Sequence, residues 1–245
     1  MAFKLAVTGK SGSGKTTVVK AFLRIMQEYF PGKSILLFDN DLTSELGHSF
    51  GQDIRNTIYG IRSGKHEYKT GIPEGMSKQE FVEWAMEDIV VTLDENVDII
   101  VSWFVGSKDC RCPITGQIND AVLKLIDRYD FVLFDCEYDL KYLVQLVDYP
   151  IDTTILVSKA DLASLHLASI IYESNKKYAA EGQFSVILNM IKEKEQSKAH
   201  ETANSFSLNT LGLIKQYENE PDNDELNEII KNMYQRLNLP QNTGF

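Results

Sequence analysis

The feature that most constrains this chain is a loop. Residues 9–17 read GKSGSGKTT, directly after an apolar run at 3–8 and directly before a segment with helical spacing. Gly9, Gly14, Lys15 and Thr16 satisfy the pattern G-x-x-x-x-G-K-[ST]. Glycines let successive backbone N–H groups turn inward around phosphate oxygens, and the positive end of the following helix adds to that field. Gly9, Lys10, Ser11, Gly12, Ser13, Gly14, Lys15, Thr16 and Thr17 are therefore the candidate phosphate cradle. Lys15 would pair with the β- and γ-phosphates, and the Thr16 hydroxyl would ligate Mg²⁺. A loop of this kind needs a sheet behind it.

The rest of the chain supplies one. Apolar runs alternate with helical-period segments, which predicts an α/β fold with a mostly parallel central sheet flanked by helices on both faces. Strands are expected at 3–8, 34–39, 97–105, 130–135, 153–158, 184–189 and 210–214. Helices are expected at 16–30, with Val19, Leu23, Met26 and Phe30 on one face, at 118–128 and at 224–237. Ser77 fits an N-cap with Glu80 three residues on, which predicts a capping box and a helix running to about Leu93. Residues 43–73 are polar, with five glycines and no clear periodicity, and long loops of this kind tend to be mobile or functional. No repeat or linker interrupts the chain, so one domain over 1–245 is expected.

Composition limits the partners. The net charge of −10 opposes a broad phosphate-backbone surface, and the acidic stretch YENEPDNDE is no basic membrane anchor. Neither a nucleic acid nor a membrane is expected as partner. No apolar run approaches a membrane span, and the N-terminal stretch has no secretory pattern. Three cysteines, an odd number, argue for a reducing compartment, with the cytoplasm as the default.

Carboxylates stand where phosphate chemistry needs them. Asp39 and Asp41 end the strand ILLFD and open the next turn; they suit Mg²⁺-linked water chemistry, and capping that turn is the ordinary alternative. Asp135 ends the apolar strand FVLFD, where a carboxylate could hold a Mg²⁺-bound water.

Lys10, straight after the first glycine, makes the loop resemble the deviant Walker A motif of the nitrogenase iron protein, MinD and ParA group. That resemblance implies a P-loop ATPase in which Lys10 reaches a partner's nucleotide across a dimer interface. It further implies that Asp41 orients the attacking water, that Asp39 supports it, and that Asn189 in VILNMI hydrogen-bonds adenine. A strand-end asparagine is also a routine turn former. The chain departs from the family pattern at Ser11, at Leu42 and at Asp139, which replaces a glycine in the second switch. Slow hydrolysis is the expectation.

Cys110 and Cys112 lie one residue apart in KDCRCPITGQ, after the strand VDIIVSWFV. Two thiolates cannot complete a tetrahedral Ni²⁺ or Zn²⁺ site, but two copies about a two-fold axis supply four ligands. Lys108 and Arg111 would favour thiolates while opposing a bound cation. A redox pair and plain loop residues are the ordinary alternatives. With the deviant loop, the C-x-C-P segment resembles the CooC-type accessory ATPases that help mature carbon monoxide dehydrogenase with nickel. The resemblance implies ATP or ADP with Mg²⁺ as cofactors, a homodimer favoured by ATP or metal, and a client metalloenzyme. A positioning or partitioning ATPase, and an iron–sulfur electron donor, are the alternatives carried forward. Cys136 reads as a buried small residue, and the four histidines as surface or packing residues.

Overall fold

The structure is a computed structural model that describes residues 1–41, 43–51, 56–63, 72–102, 115–138, 140, 151–178, 183–217 and 223–237. The fold is a mostly parallel sheet with helices, and its strands follow the order β3-β4-β2-β5-β1-β6-β7-β8. In chain order the strands are β1 (Phe3–Gly9), β2 (Ile35–Asn40), β3 (Val91–Asp94), β4 (Val97–Val101), β5 (Phe131–Cys136), β6 (Thr153–Lys159), β7 (Phe184–Ile191) and β8 (Thr210–Lys215). The helices are α1 (Lys15–Tyr29), α2 (Glu45–Ser49), α3 (Ile58–Ser63), α4 (Lys78–Asp88), α5 (Thr115–Ile126), α6 (Leu162–Asn175), α7 (Gln196–Ser205) and α8 (Asn223–Tyr234). Tertiary contacts group the residues into two units, each assembled from separated segments: 1–3, 33–135 and 142–149 form one, and 4–32, 136–141 and 150–245 the other.

The second unit carries the phosphate loop. β1 pairs in parallel with β6, β6 with β7 and β7 with β8. β1, β6 and β7 are almost wholly buried, so they read as continuous apolar runs, not as alternating ones. α1 buries Val18, Val19, Phe22, Leu23, Ile25 and Met26 on one side. It also meets α8 through Tyr29 stacked on Tyr234, with ring centroids 5.0 Å apart, and through Arg24 bonded to Asn227 at 2.8 Å. α6 and α7 cover β7 with Leu165, Ala168, Ile171, Ala199 and Ala203.

The first unit carries the carboxylates of β2. β2 pairs with β4 in parallel, placing Asp39 opposite Val101. Here the structure corrects one sequence expectation. The helix after Ser77 stops at Asp88, and Val91–Asp94 is instead a strand antiparallel to β4. The β-branched run Val90, Val91, Thr92 favours extended backbone, and Glu95 and Asn96 make the tight turn back. The aperiodic region 43–73 contains α2 and α3, which are too short for periodicity to show. Residues 103–105 of the expected strand lie outside the described residues.

The capping box is present as expected. Ser77 Oγ accepts from the Glu80 N–H at 3.2 Å, and the Glu80 carboxylate accepts from the Ser77 N–H at 2.7 Å. Ser77→Ala should lower stability by about 1 kcal/mol, read as a shift in the urea midpoint, with Ser77→Asp largely restoring it. An unchanged midpoint in Ser77→Ala would mean that packing alone fixes the start of α4.

Candidate functional site

The phosphate loop is built by three left-handed glycines. Gly9 has φ +148°, and a Cβ there would stand 2.3 Å from the Val157 carbonyl oxygen of β6. The obstacle is backbone, so nothing can move aside. Gly12 and Gly14 have φ +73° and +93°. Gly14 is the residue preceding α1, and the Ser13 N–H closes the turn onto the Lys10 carbonyl at 3.1 Å. No side chain caps α1, and no acidic residue sits in its first turn. The positive end of its dipole therefore meets no carboxylate from its own first turn.

Lys15 is buried at the helix start, whereas Lys10, Ser11 and Thr17 are exposed and Thr16 is half-buried. Ser13 is buried, and its hydroxyl has no hydrogen-bond partner among the described residues. A buried donor lacking an acceptor, an uncapped helix and a buried lysine together fit a phosphate group. Asn189, also buried, pins the loop from β7. Its Nδ2 donates to the Ser13 carbonyl at 2.8 Å, and its Oδ1 accepts from the Met190 N–H at 2.8 Å. Met190 has φ +59°, where the pairing of β7 with β8 is irregular.

Two cavities flank the loop. One of about 200 Å³ is bordered by Gly14, Thr17, Asn189, Met190, Gln216 and Tyr217. The other, of about 290 Å³, lies between Lys10, Ser11 and Ser13 on one side and Ser164, Leu167 and Ile171 of α6 on the other. Met190, Gln216 and Tyr217 were not legible as site residues. Their one sequence signal is position: Met190 is the next-to-last residue of β7, and Gln216 and Tyr217 follow β8.

In the other unit, Asp39 is fully buried at the end of β2. Its Oδ1 accepts from the Asp41 N–H at 3.1 Å and its Oδ2 from the Gly47 N–H at 3.0 Å. Asp41 is buried too, and its Oδ1 accepts from the Thr43 N–H at 2.9 Å and the Thr43 hydroxyl at 2.8 Å. Both carboxylates thus organise the turn into α2. Burial pushes the Asp39 carboxyl up to about 6, and the two backbone N–H groups only partly offset that. Asp135 is fully buried on β5, as is Cys136. The Asp39 carbonyl accepts from the Ser102 N–H at 2.8 Å, and the Ser102 carbonyl accepts from the Tyr59 N–H at 2.9 Å.

Lys108, Cys110, Arg111, Cys112 and Asp139 lie outside the described residues, as do Leu42 and His66. His48, His166 and His200 are exposed. Among the described residues no group of three or more His, Cys, Asp or Glu side chains could hold a metal ion, and no helix is long and apolar enough to cross a membrane.

A buried first strand running through a glycine-turned loop into an uncapped helix defines a P-loop nucleotide-binding protein. Residues 4–239 match the CobQ/CobB/MinD/ParA nucleotide binding domain, and the chain belongs to that family. It is 25% identical over 241 residues to an uncharacterized ATP-binding protein of Methanocaldococcus jannaschii, spanning 97% of this chain and 92% of that protein. The Escherichia coli arsenical pump-driving ATPase is 30% identical over 138 residues, which is 54% of this chain and 23% of that protein. Among solved structures, the MinC:MinD cell division protein complex of Aquifex aeolicus superposes with a TM-score of 0.66 at 17% identity, covering 97% of each chain. A ParA family ATPase of Chlorobium tepidum gives 0.64 at 15%, covering 96% of this chain and 90% of that one. At these identities the structural likeness is one of fold.

The raised Asp39 value has a definite consequence for stability. Between the ordinary carboxylate range and pH 6 the native state holds the extra proton, so stability falls as pH rises through this window and is flat above it. Asp39→Asn presents an amide donor to one of the two backbone N–H groups and should be the less stable protein. Its deficit should shrink by about 1 kcal/mol between pH 5 and pH 7 in parallel urea titrations. A pH-independent deficit would place the Asp39 titration below this window.

Proposed function

We propose that the chain is an ATP-dependent switch: it binds and slowly hydrolyses ATP with Mg²⁺, and uses the cycle to load a soft metal onto a client metalloenzyme. The observation that carries the nucleotide part is the phosphate loop, with its left-handed glycines, buried Lys15 and uncapped helix. Lys15 and the loop N–H groups would hold the β- and γ-phosphates. The cavity beside Asn189, Met190 and Tyr217 has the position for the base, next to the loop and partly apolar.

Thr16 would hold Mg²⁺, which when bound supplies charge neutralisation for the phosphate oxygens. The roles of the acids rest on the family resemblance: Asp41 orients the attacking water, supported by Asp39, and Asp135 holds a water of the metal. The two Thr43 bonds give the Asp41 carboxylate a fixed direction, as an orienting group needs. Lys10 is exposed, which suits a lysine serving a second copy of the chain.

The metal cargo rests on Cys110 and Cys112. Two copies would provide four thiolates to Ni²⁺ or Zn²⁺, as in the CooC-type accessory ATPases. What supports coupling is the local path: β4, which leads toward the cysteines, leaves the sheet at Ser102, whose N–H is bonded to the Asp39 carbonyl. A change at the β2 turn would be felt where the cysteine segment begins.

Two measurements test this reading. Lys15→Ala should weaken ATP binding about tenfold to a hundredfold, the worth of one charge-assisted contact. Metal content of the anaerobic, reduced protein should approach about half a Ni²⁺ or Zn²⁺ per protomer in a dimer and vanish in Cys112→Ala. Metal indifferent to Cys112 overturns the cargo assignment. ATP-dependent co-sedimentation with DNA or vesicles would make the protein a positioning ATPase instead.

A further inference from the structure

Just after β5, the backbone at Glu137, Tyr138 and Leu140 is held at three points by two buried side chains. Thr8 Oγ1 donates to the Glu137 carbonyl at 2.5 Å. Asn175 Nδ2 donates to the Tyr138 carbonyl at 2.6 Å, while its Oδ1 accepts from the Leu140 N–H at 3.1 Å. Thr8 is wholly buried and Asn175 is 1% exposed. Buried bonds of this kind, from side chain to backbone, fix a loop more firmly than the same bonds in water.

We propose that Thr8 and Asn175 are positioning residues: together they set the backbone at Glu137, Tyr138 and Leu140 and so the hydrolysis step. This rests on the ATPase reading above. The placement of the two anchors carries the argument. Thr8 directly precedes Gly9, so the tether to Glu137 starts one residue from the phosphate loop. Asn175 is the last residue of α6, and Ser164, Leu167 and Ile171 of the same helix line the cavity shared with Lys10, Ser11 and Ser13. Both anchors therefore join the segment to elements that border the phosphate loop.

The clamp also bears on the departure at Asp139. Residues 138 and 140, on either side of it, are both bonded to the same amide. Where the resembling family relies on a glycine, this chain fixes the flanking backbone from outside. Asparagine is the side chain that does so, since it donates at one atom and accepts at the other. Aspartate keeps only the acceptor, and alanine keeps neither.

The test compares Thr8→Val, Asn175→Ala and Asn175→Asp with the wild type. A fluorescent non-hydrolysable ATP analogue reads binding, steady-state kinetics read turnover, and hydrogen exchange reads the Leu140 amide. Thr8→Val and Asn175→Ala should keep analogue affinity and KM within about threefold while kcat falls about tenfold to a hundredfold. The Leu140 amide should exchange faster in Asn175→Ala but not in Asn175→Asp or Thr8→Val, which also shows that those two proteins are folded. Unchanged kcat in both variants, or unchanged Leu140 exchange in Asn175→Ala, overturns the proposal. A wild type that binds no analogue sinks the ATPase reading and with it the hydrolytic role, while faster Leu140 exchange in Asn175→Ala still upholds the clamp.

Discussion

The close approach of Gly9 to the Val157 carbonyl is the contact on which the phosphate-loop unit depends. The parallel register pairs these two residues, and the chain must leave β1 at that point with positive φ. Any side chain there would force β1 and β6 apart. The same logic repeats one strand over, where a Cβ on Gly14 would meet Asn189 Nδ2 at 2.2 Å. β6 and β7 thus hold the loop from both flanks. What they hold is a helix start with no cap, which is electrostatically unfavourable until an anion arrives. At the phosphate loop that demand is left unmet, and a preorganised positive end of this kind needs no rearrangement to receive phosphate.

The buried acids of the other unit show the opposite balance. Asp39 accepts two backbone hydrogen bonds, an arrangement that ordinarily holds a carboxyl low, yet burial outweighs them. Asp41 two residues away adds a like charge in the same direction. A carboxyl in this state takes its proton near pH 6, and a cation nearby would draw it toward the ionised form. The turn between β2 and α2 is therefore sensitive to charge. A rigid cap with an ordinary carboxyl would not be.

Much of the fold was legible because the chain's strongest signals are local. Phe3–Gly9, Ile35–Asn40, Phe131–Cys136 and Phe184–Ile191 are mostly apolar runs, and the capping box at Ser77 and Glu80 follows from two side chains and their spacing. The strand Val91–Asp94 was missed because its side chains continue an apolar pattern that a helix would also accept. Only the turn at Glu95 and Asn96, and pairing with β4, decide for the strand. At the site, the glycines and Lys15 were readable because the loop has a fixed grammar. Thr8 and Asn175 were not, because their roles are long-range: their partners lie 129 and 37 residues away for the carbonyls of Glu137 and Tyr138. Asn175 did leave a trace, since it ends the buried face Leu165, Ala168, Ile171 with a polar group. A buried amide on an apolar helix face must find partners, and that requirement could have flagged it.

The bonded path from Asp39 to the end of β4 can be followed within one unit. β2 and β4 are bonded in register up to Asp39 and Val101, and the ladder closes with the Ser102 N–H on the Asp39 carbonyl. Ser102 in turn receives the Tyr59 N–H, so α3 is fastened to the same residue. Displacing the β2 turn must therefore break these bonds or carry Ser102 with it, and breaking them would leave buried backbone groups without partners. Moving together is the less costly outcome. Under the proposed function, this is the path by which a change at Asp39 and Asp41 would be carried to the end of β4.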